Sequence, residues 1–294
     1  MEARVKETQI HESDDTRRIL AVLAHPDDET FGLGGSLAYY ARKGVEITLI
    51  CTTHGEAGDV EPQYLEGHES IAELRSAELH CAAQTLGLHA VIQFDHRDSG
   101  MQGSPTNDHP DALINAPLDE VAAEIAEIIR RVRPQVVVTH DPVGNYFHPD
   151  HIATHEATTM AFFMAGDETF KGQENLPAFE PDYLYFYTFP RKRMKWLLWV
   201  MPLLGMDPKR FGRNNDIDLA RILTMQMPVH VEVNFRDAED VREQASRCHA
   251  SQGGGQRSMT LFGRVRRWLS ATKDSYMQAY PEVSNGRVRG DLFG

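Results

Sequence analysis

Two clusters of ligating and acid–base side chains dominate the 294-residue sequence. The first is His25-Pro26-Asp27-Asp28-Glu29, which ends the apolar run Ile19–Ala24. The second is His148-Pro149-Asp150-His151. Ionisable groups at the end of a buried segment are costly unless they are paired or hold a metal. Histidine and aspartate are ordinary zinc ligands, and a spare carboxylate beside them can act as a general base. A plainer use of the first cluster is a polar strand-to-helix turn with an aspartate as N-cap. In the second cluster Pro149 suits a first helical position, so His148 lies near the cap and His151 one turn on, on the same face. Catalytic zinc keeps three protein ligands and one open position, so not every group in the two clusters needs to bind metal. His155 competes as the i+4 partner of His151. It lacks the adjacent carboxylate of a zincin motif and reads better as a packing or supporting group.

The elements that must carry these clusters alternate. Ile19–Ala24 is short, apolar and suited to a fully buried strand. A helix over Ser36–Lys43, stopped by Gly44, and a strand over Val45–Thr52 complete a strand–helix–strand unit with a parallel pair. Glu69–Leu86 reads as a helix stopped by Gly87, Val91–Phe94 as a strand, Leu118–Arg133 as an amphipathic helix ended by Pro134, and Gln135–Thr139 as a buried strand. A helix follows His148 to about Ala165. Polar residues follow each strand, which predicts a doubly wound α/β sheet with the site at the carboxyl ends of its strands. Gly32-Leu33-Gly34-Gly35-Ser36-Leu37 lacks the last glycine of a dinucleotide fingerprint, and the acidic motif precedes it. Residues 166–225 break the rhythm and are expected as a lid or insert. Val229–Val233 then reads as a late strand and Ala238–His249 as a helix. The expected organisation is a flexible tail over 1–17 and one domain over 18–294.

Composition narrows the function classes. The net charge of −13 argues against a nucleic-acid or anionic-membrane binder, since both need a basic footprint. Met194–Met206 is apolar but too short to span a bilayer. Four basic residues (Arg191, Lys192, Arg193 and Lys195) flank it. It is expected to form a lid or subunit contact that packs Trp196 and Trp199, and a homo-oligomer is compatible with that. The three cysteines (Cys51, Cys81 and Cys248) have no metal or redox spacing and are expected as reduced thiols of a cytoplasmic protein. No secretory signal pattern opens the chain.

AHPDDE at Ala24–Glu29, paired with HPDH at His148–His151, resembles the LmbE/PIG-L family of zinc-dependent N-deacetylases. The similarity covers most of residues 18–165 and returns near the C-terminus. Thr53-His54-Gly55-Glu56 resembles the family's second-strand loop. Arg97–Met101 and His249-Ala250-Ser251-Gln252 are similar to segments in the branch of mycothiol-pathway deacetylases and conjugate amidases. The resemblance implies a Rossmann-like, mostly parallel sheet flanked by helices. It implies Zn²⁺, with Fe²⁺ as another divalent candidate, held by His25, Asp28 and His151. Asp27 would activate water, His148 would stabilise the oxyanion or protonate the leaving amine, and Tyr146 would help polarise the amide carbonyl. Arg75, Asp98 and Gln252 would hold sugar hydroxyls.

Such residues suit amide hydrolysis, which needs a polarised carbonyl, an activated water and donors for a tetrahedral oxyanion. The expected reaction is removal of an N-acyl group, N-acetyl first, from an N-acetylglucosamine-type sugar or glycoside. The alternative within this chemistry is an amidase for a larger sugar–thiol conjugate. A catalytically inactive metal- or sugar-binding protein is a different class, opposed by the intact Asp27, Tyr146 and His148. A nucleotide-binding protein is opposed by the failed glycine fingerprint.

Overall fold

The computed structural model describes residues 16–189, 195–210, 218–225, 227–255, 272–283 and 286–294. Most of the expected N-terminal tail and Arg191–Met194 lie outside them.

The chain starts with β1 (Arg18–Leu23), and every apolar side chain of β1 is buried. Ile19, Ala21 and Leu23 enter one core layer with Leu37 and Leu79, while Leu20 and Val22 enter the other with Ile125 and Ala161. A strand covered on both faces needs apolar residues at every position, which is why this run does not alternate. Each large aliphatic side chain buried in this way contributes about 1.5–3 kcal/mol.

After β1 come α1 (Asp28–Phe31), α2 (Gly34–Arg42), β2 (Glu46–Thr53), α3 (Ile71–Leu86) and β3 (Ala90–His96). Ser70 caps α3 by accepting the Glu73 N–H at 3.1 Å, and Gly87 ends it at φ 81°. Next are α4 (Leu118–Val132) and β4 (Val136–Thr139). Arg133 ends the helix as a left-handed cap at φ 52°, its N–H donating to the Ile129 carbonyl, and Pro134 follows. Then follow α5 (Gly144–Phe147), α6 (Pro149–Gly166), β5 (Tyr183–Thr188), α7 (Leu197–Leu203), α8 (Leu219–Thr224), β6 (Val231–Asn234), α9 (Glu239–Cys248) and β7 (Lys273–Tyr280).

The seven strands form one sheet in the order β3-β2-β1-β4-β5-β7-β6. β1 to β5 run parallel, and β7 pairs antiparallel with both β5 and β6. The strand order reverses between β1 and β4, and open α/β sheets bind ligands beyond the carboxyl ends at such a switch point. The first cluster follows β1 directly, and the second follows β4 by way of α5.

Two strands have no counterpart in the sequence reading. β5, YLYFYT, lies inside the range expected as lid, so that part of 166–225 is sheet. Both β5 and β7 lack the polar–apolar alternation that marks a half-buried strand. The cysteine reading is corrected as well. Cys81 of α3 and Cys248 at the end of α9 form a disulfide, with Cα atoms 5.7 Å apart and a sequence separation of 167. Spacing along the chain cannot report a pair that only helix packing brings together, and the expectation of a cytoplasmic protein loses this support. Cys51 is a buried free thiol. Trp196 packs with Met201, Leu219 and Leu223, while Trp199 is 82% exposed. Among the described residues no helix is long and apolar enough to cross a membrane.

Candidate metal and active site

The turn after β1 presents three carboxylates in different directions. Asp27 is the N-terminal residue flanking α1, at φ 119°, and its side chain caps nothing. A non-glycine residue at positive φ is strained, and it persists only where its surroundings impose it. Here the Asp27 N–H donates to Glu29 Oε2 at 2.9 Å. Glu29 is fully buried and its other oxygen meets His249 Nε2 at 2.6 Å. The Asp27 carboxylate is thereby left for Arg75, whose guanidinium donates to it at 3.0 Å and also to the carbonyls of Pro26 and Gly55. A Cβ on Gly55 would collide with that guanidinium. Asp28 turns back over the loop and accepts the His25 N–H at 2.9 Å.

The opposite wall comes from α5 and the first turn of α6. Nδ1 of His25, Nε2 of His151 and Oδ2 of Asp28 form a triangle with sides of 3.2, 3.3 and 3.5 Å. Corners of a tetrahedral zinc site with bonds of about 2.0–2.2 Å stand about 3.3–3.6 Å apart. The far nitrogen of His25 meets Asp150 Oδ2 at 3.1 Å, the carboxylate support common behind metal-ligating imidazoles. Asp150 Oδ2 also accepts the Ser99 N–H, while its Oδ1 is buried with no hydrogen-bond partner. His148 completes a second grouping with His25, Asp98 and Asp150, and His140 a third with Asp28 and His151. The buried cluster of histidine and aspartate side chains can hold a metal ion.

Electrostatics divides the roles. Burial lifts the Asp27 carboxyl to about 6, opposed by Arg75 and helped by the neighbouring Asp28. Asp28 is held well below the usual carboxylate range, because His151 and His140 outweigh its burial. Burial works against a charged His25, yet Asp98, Asp150 and Asp28 raise it well above the ordinary imidazole value. Such a surplus of carboxylates is what a cation would neutralise. Burial keeps His148 neutral by lowering it well below the ordinary value. Burial also raises the half-buried Tyr146 hydroxyl, so it stays protonated. The Tyr146 ring lies 5.0 Å from that of His151 and 5.8 Å from that of His148.

The family model described as PIG-L, GlcNAc-PI de-N-acetylase, matches residues 20–162, the span that builds both walls. A relative from Thermobispora bispora, a 1D-myo-inositol 2-acetamido-2-deoxy-alpha-D-glucopyranoside deacetylase, is 42% identical over 250 residues, 80% of this chain and 79% of that one. The chain belongs to the PIG-L family. Another PIG-L relative, from Thermobifida fusca and bearing the same name, is 43% identical over 188 residues, 61% of this chain and 64% of its own length. The solved structure of N,N'-diacetylchitobiose deacetylase from Pyrococcus horikoshii aligns with a TM-score of 0.60 over 90% of this chain and 84% of that one. At 18% identity it speaks for the fold alone.

Of the residues the motifs single out, the PIG-L fold brings His25, Asp27, Asp28, Tyr146, His148 and His151 around one centre. Asp98 joins them, with Oδ1 3.6 Å from His25 Nε2. Arg75 is committed to Asp27 and two carbonyls. Gln252 donates to Ser251, which bonds Glu78 of α3, and it sits three residues beyond His249. His155 bonds the His140 carbonyl and packs on Phe186, in keeping with a supporting role. Sequence reasoning passed over His140, Asn145 and Asp150. Asp150 lies between two flagged histidines, and His140 holds the first position after a buried strand, so a signal existed for both.

Proposed function

We propose that this chain is a metal-dependent deacetylase that removes the N-acetyl group of a GlcNAc-type glycoside, in the manner named for its relatives: 2-acetamido-2-deoxyglucopyranoside linked to myo-inositol. The observation that carries this reading is the triangle of His25, Asp28 and His151 with the strained, uncapped Asp27 carboxylate beside it.

His25 Nδ1, Asp28 Oδ2 and His151 Nε2 would hold Zn²⁺, with Fe²⁺ as the alternative. A divalent ion bound there supplies a Lewis acid for the amide carbonyl and lowers the pKa of water toward neutrality. Asp27 takes a proton from the attacking water; a value of about 6 suits a base working near neutral pH. Arg75 aims that carboxylate. Tyr146 donates its hydroxyl hydrogen to the developing oxyanion. His148 accepts the Asp150 N–H at Nδ1, 3.2 Å away, so its own hydrogen sits on Nε2. Neutral and with that tautomer, it is a hydrogen-bond donor to the oxyanion and a poor proton source. The proton for the leaving amine then comes from Asp27. The new bond joins water oxygen to the acyl carbon, the C–N bond breaks, and the proton taken from water leaves on nitrogen.

Asp98 steadies His25 in this scheme, and Arg75 serves Asp27. The sugar contacts fall to Gln252 and to the segment following β5, which we assign as the lid. The test is release of free amine from the inositol glycoside of N-acetylglucosamine, measured beside free N-acetylglucosamine and an acylated sugar–thiol conjugate. Preferential turnover of the conjugate would replace deacetylation with amidase function. Metal and sugar binding without turnover of any of the three would make the protein a binder.

A further inference from the structure

We infer that Asn145 is a positioning residue that fixes the tautomer of His151 and so aims the lone pair of its Nε2 into the metal triangle. This role rests on the metal-site reading above and belongs to a residue that touches neither substrate nor metal.

The hydrogen-bond chain around Asn145 ends in two backbone groups whose polarity is fixed. At one end the Ala24 N–H, a donor only, points at His140 Nε2 at 3.0 Å. His140 Nε2 therefore carries a lone pair, and a neutral imidazole then bears its hydrogen on Nδ1. That Nδ1–H lies 2.8 Å from Asn145 Oδ1. At the other end Asn145 Nδ2 donates to the Tyr187 carbonyl, an acceptor only, at 3.2 Å. The two ends independently give the same orientation of the amide, with Oδ1 toward the histidines. The same Oδ1 lies 3.3 Å from His151 Nδ1. An amide oxygen can only accept, so His151 holds a hydrogen on Nδ1, and the neutral imidazole a metal ligand must be then keeps its lone pair on Nε2. This Nε2 is the corner of the triangle facing His25 and Asp28.

The same network removes His140 from the ligand set, although it belongs to a ligand-spaced group with Asp28 and His151. Both its nitrogens are engaged, by Ala24 and by Asn145. Its ring stacks on that of His151, with centroids 3.8 Å apart, so the pair turns as a unit.

The backbone is bent to place this amide. Asn145 is fully buried at φ 60° and ψ −59°, between Gly144 at φ 61° and Phe147 at φ 69°. Its N–H donates to Asp141 Oδ1 at 2.8 Å, and the other Asp141 oxygen accepts the Thr188 hydroxyl at 3.3 Å. A glycine would hold this conformation without strain. A buried asparagine kept there instead points to work done by the side chain.

That contrast supplies the experiment. Asn145→Gly preserves the backbone and deletes only the amide. Zn²⁺ and Co²⁺ dissociation constants are measured by competition with a chromophoric chelator, the Co²⁺ absorption spectrum is recorded, and melting of the metal-free protein is followed. Loss of an outer-shell partner costs roughly 10- to 100-fold in metal affinity, and that is the weakening expected here, with an altered Co²⁺ spectrum. A merely structural asparagine would lower the melting temperature and leave the affinity of the folded protein unchanged, which would overturn the inference. Imidazole ¹⁵N spectra of the metal-free wild type give a test free of any folding defect: His151 should carry its hydrogen on Nδ1, and a hydrogen on Nε2 refutes the proposal. If the wild type itself binds no divalent ion, the site reading fails. If the wild type binds and Asn145→Gly binds equally well, only the role of Asn145 fails.

Discussion

Arg75→Met should damage the protein in two separable ways. Arg75 is 4% exposed and donates to Asp27 Oδ2 and to the buried carbonyls of Pro26 and Gly55. Methionine fills much of the volume but donates nothing, so the Pro26 carbonyl loses its partner, while the Gly55 carbonyl keeps the Gly58 N–H at 3.1 Å. Each unsatisfied buried group costs about 1–3 kcal/mol. Breaking a buried ion pair from one side costs about 3–5 kcal/mol, the larger of the two losses. Against a total stability of about 5–15 kcal/mol the variant still folds, with a clearly lower urea midpoint. The second effect concerns the base. Burial sets Asp27 at about 6, and Arg75 is the largest influence holding it down. Without Arg75 the carboxyl rises further. Asp27 works ionised, so activity is lost as pH falls through its pKa, and the acidic limb of the kcat profile should move to higher pH in the variant. Each unit of rise corresponds to about 1.4 kcal/mol, and beyond neutrality to about a tenfold loss of the active form at pH 7. Urea melts and pH–rate profiles of wild type, Arg75→Met and Arg75→Lys measure both effects, with the lysine variant intermediate because it keeps charge but not the fork. A stability loss with an unmoved acidic limb would refute the assignment of Arg75 to Asp27.

Chelation should abolish amide hydrolysis, and Zn²⁺ or Fe²⁺ should restore it; full turnover in a preparation shown to be metal-free by elemental analysis would sink the metal requirement. Asp27→Asn should bind metal nearly normally while turnover falls roughly a hundredfold or more, whereas Asp28→Ala should lose metal and activity together; metal stoichiometry beside turnover checks both, and the reverse pattern exchanges their roles. Tyr146→Phe should retain metal and lose about 10²–10³ in kcat, the cost of one oxyanion donor; a change confined to KM would make Tyr146 a substrate contact instead. Trp199→Ser should leave stability and turnover unchanged, because the ring is solvent-exposed; a shift of the sedimentation profile to a smaller species would show that it serves a subunit contact.

The site was legible where chemistry is local. Two short motifs hold six of its residues, and the apolar run before the first announces a strand whose end must carry polar groups. The sheet was legible wherever strand and helix alternate. It became illegible at β5, which is apolar or aromatic on both faces and so shows no polar–apolar alternation, and at β7, which returns antiparallel after a long excursion. The resemblance offers Arg75 as a sugar contact, and its ion pair with Asp27, 48 positions away on another element, is not legible in the sequence. His140 and Asn145 were missed for a related reason. Their function is to orient a ligand, and orientation depends on hydrogen-bond direction, which no spacing in a sequence encodes.

The Cys81–Cys248 link closes part of the polypeptide into a covalent ring. His25 and Asp28 lie outside that ring, and His148 and His151 within it. A single proteolytic nick after β5, in the stretch that carries the exposed Leu203 and Leu204, opens the ring without separating the pieces. The longer fragment then keeps the whole triangle of His25, Asp28 and His151. The shorter one, tethered through sulfur, still delivers His249 to Glu29 beneath Asp27. The cut protein would run as one species on a non-reducing gel and as two after reduction, so the lid can be severed while both walls of the site stay joined.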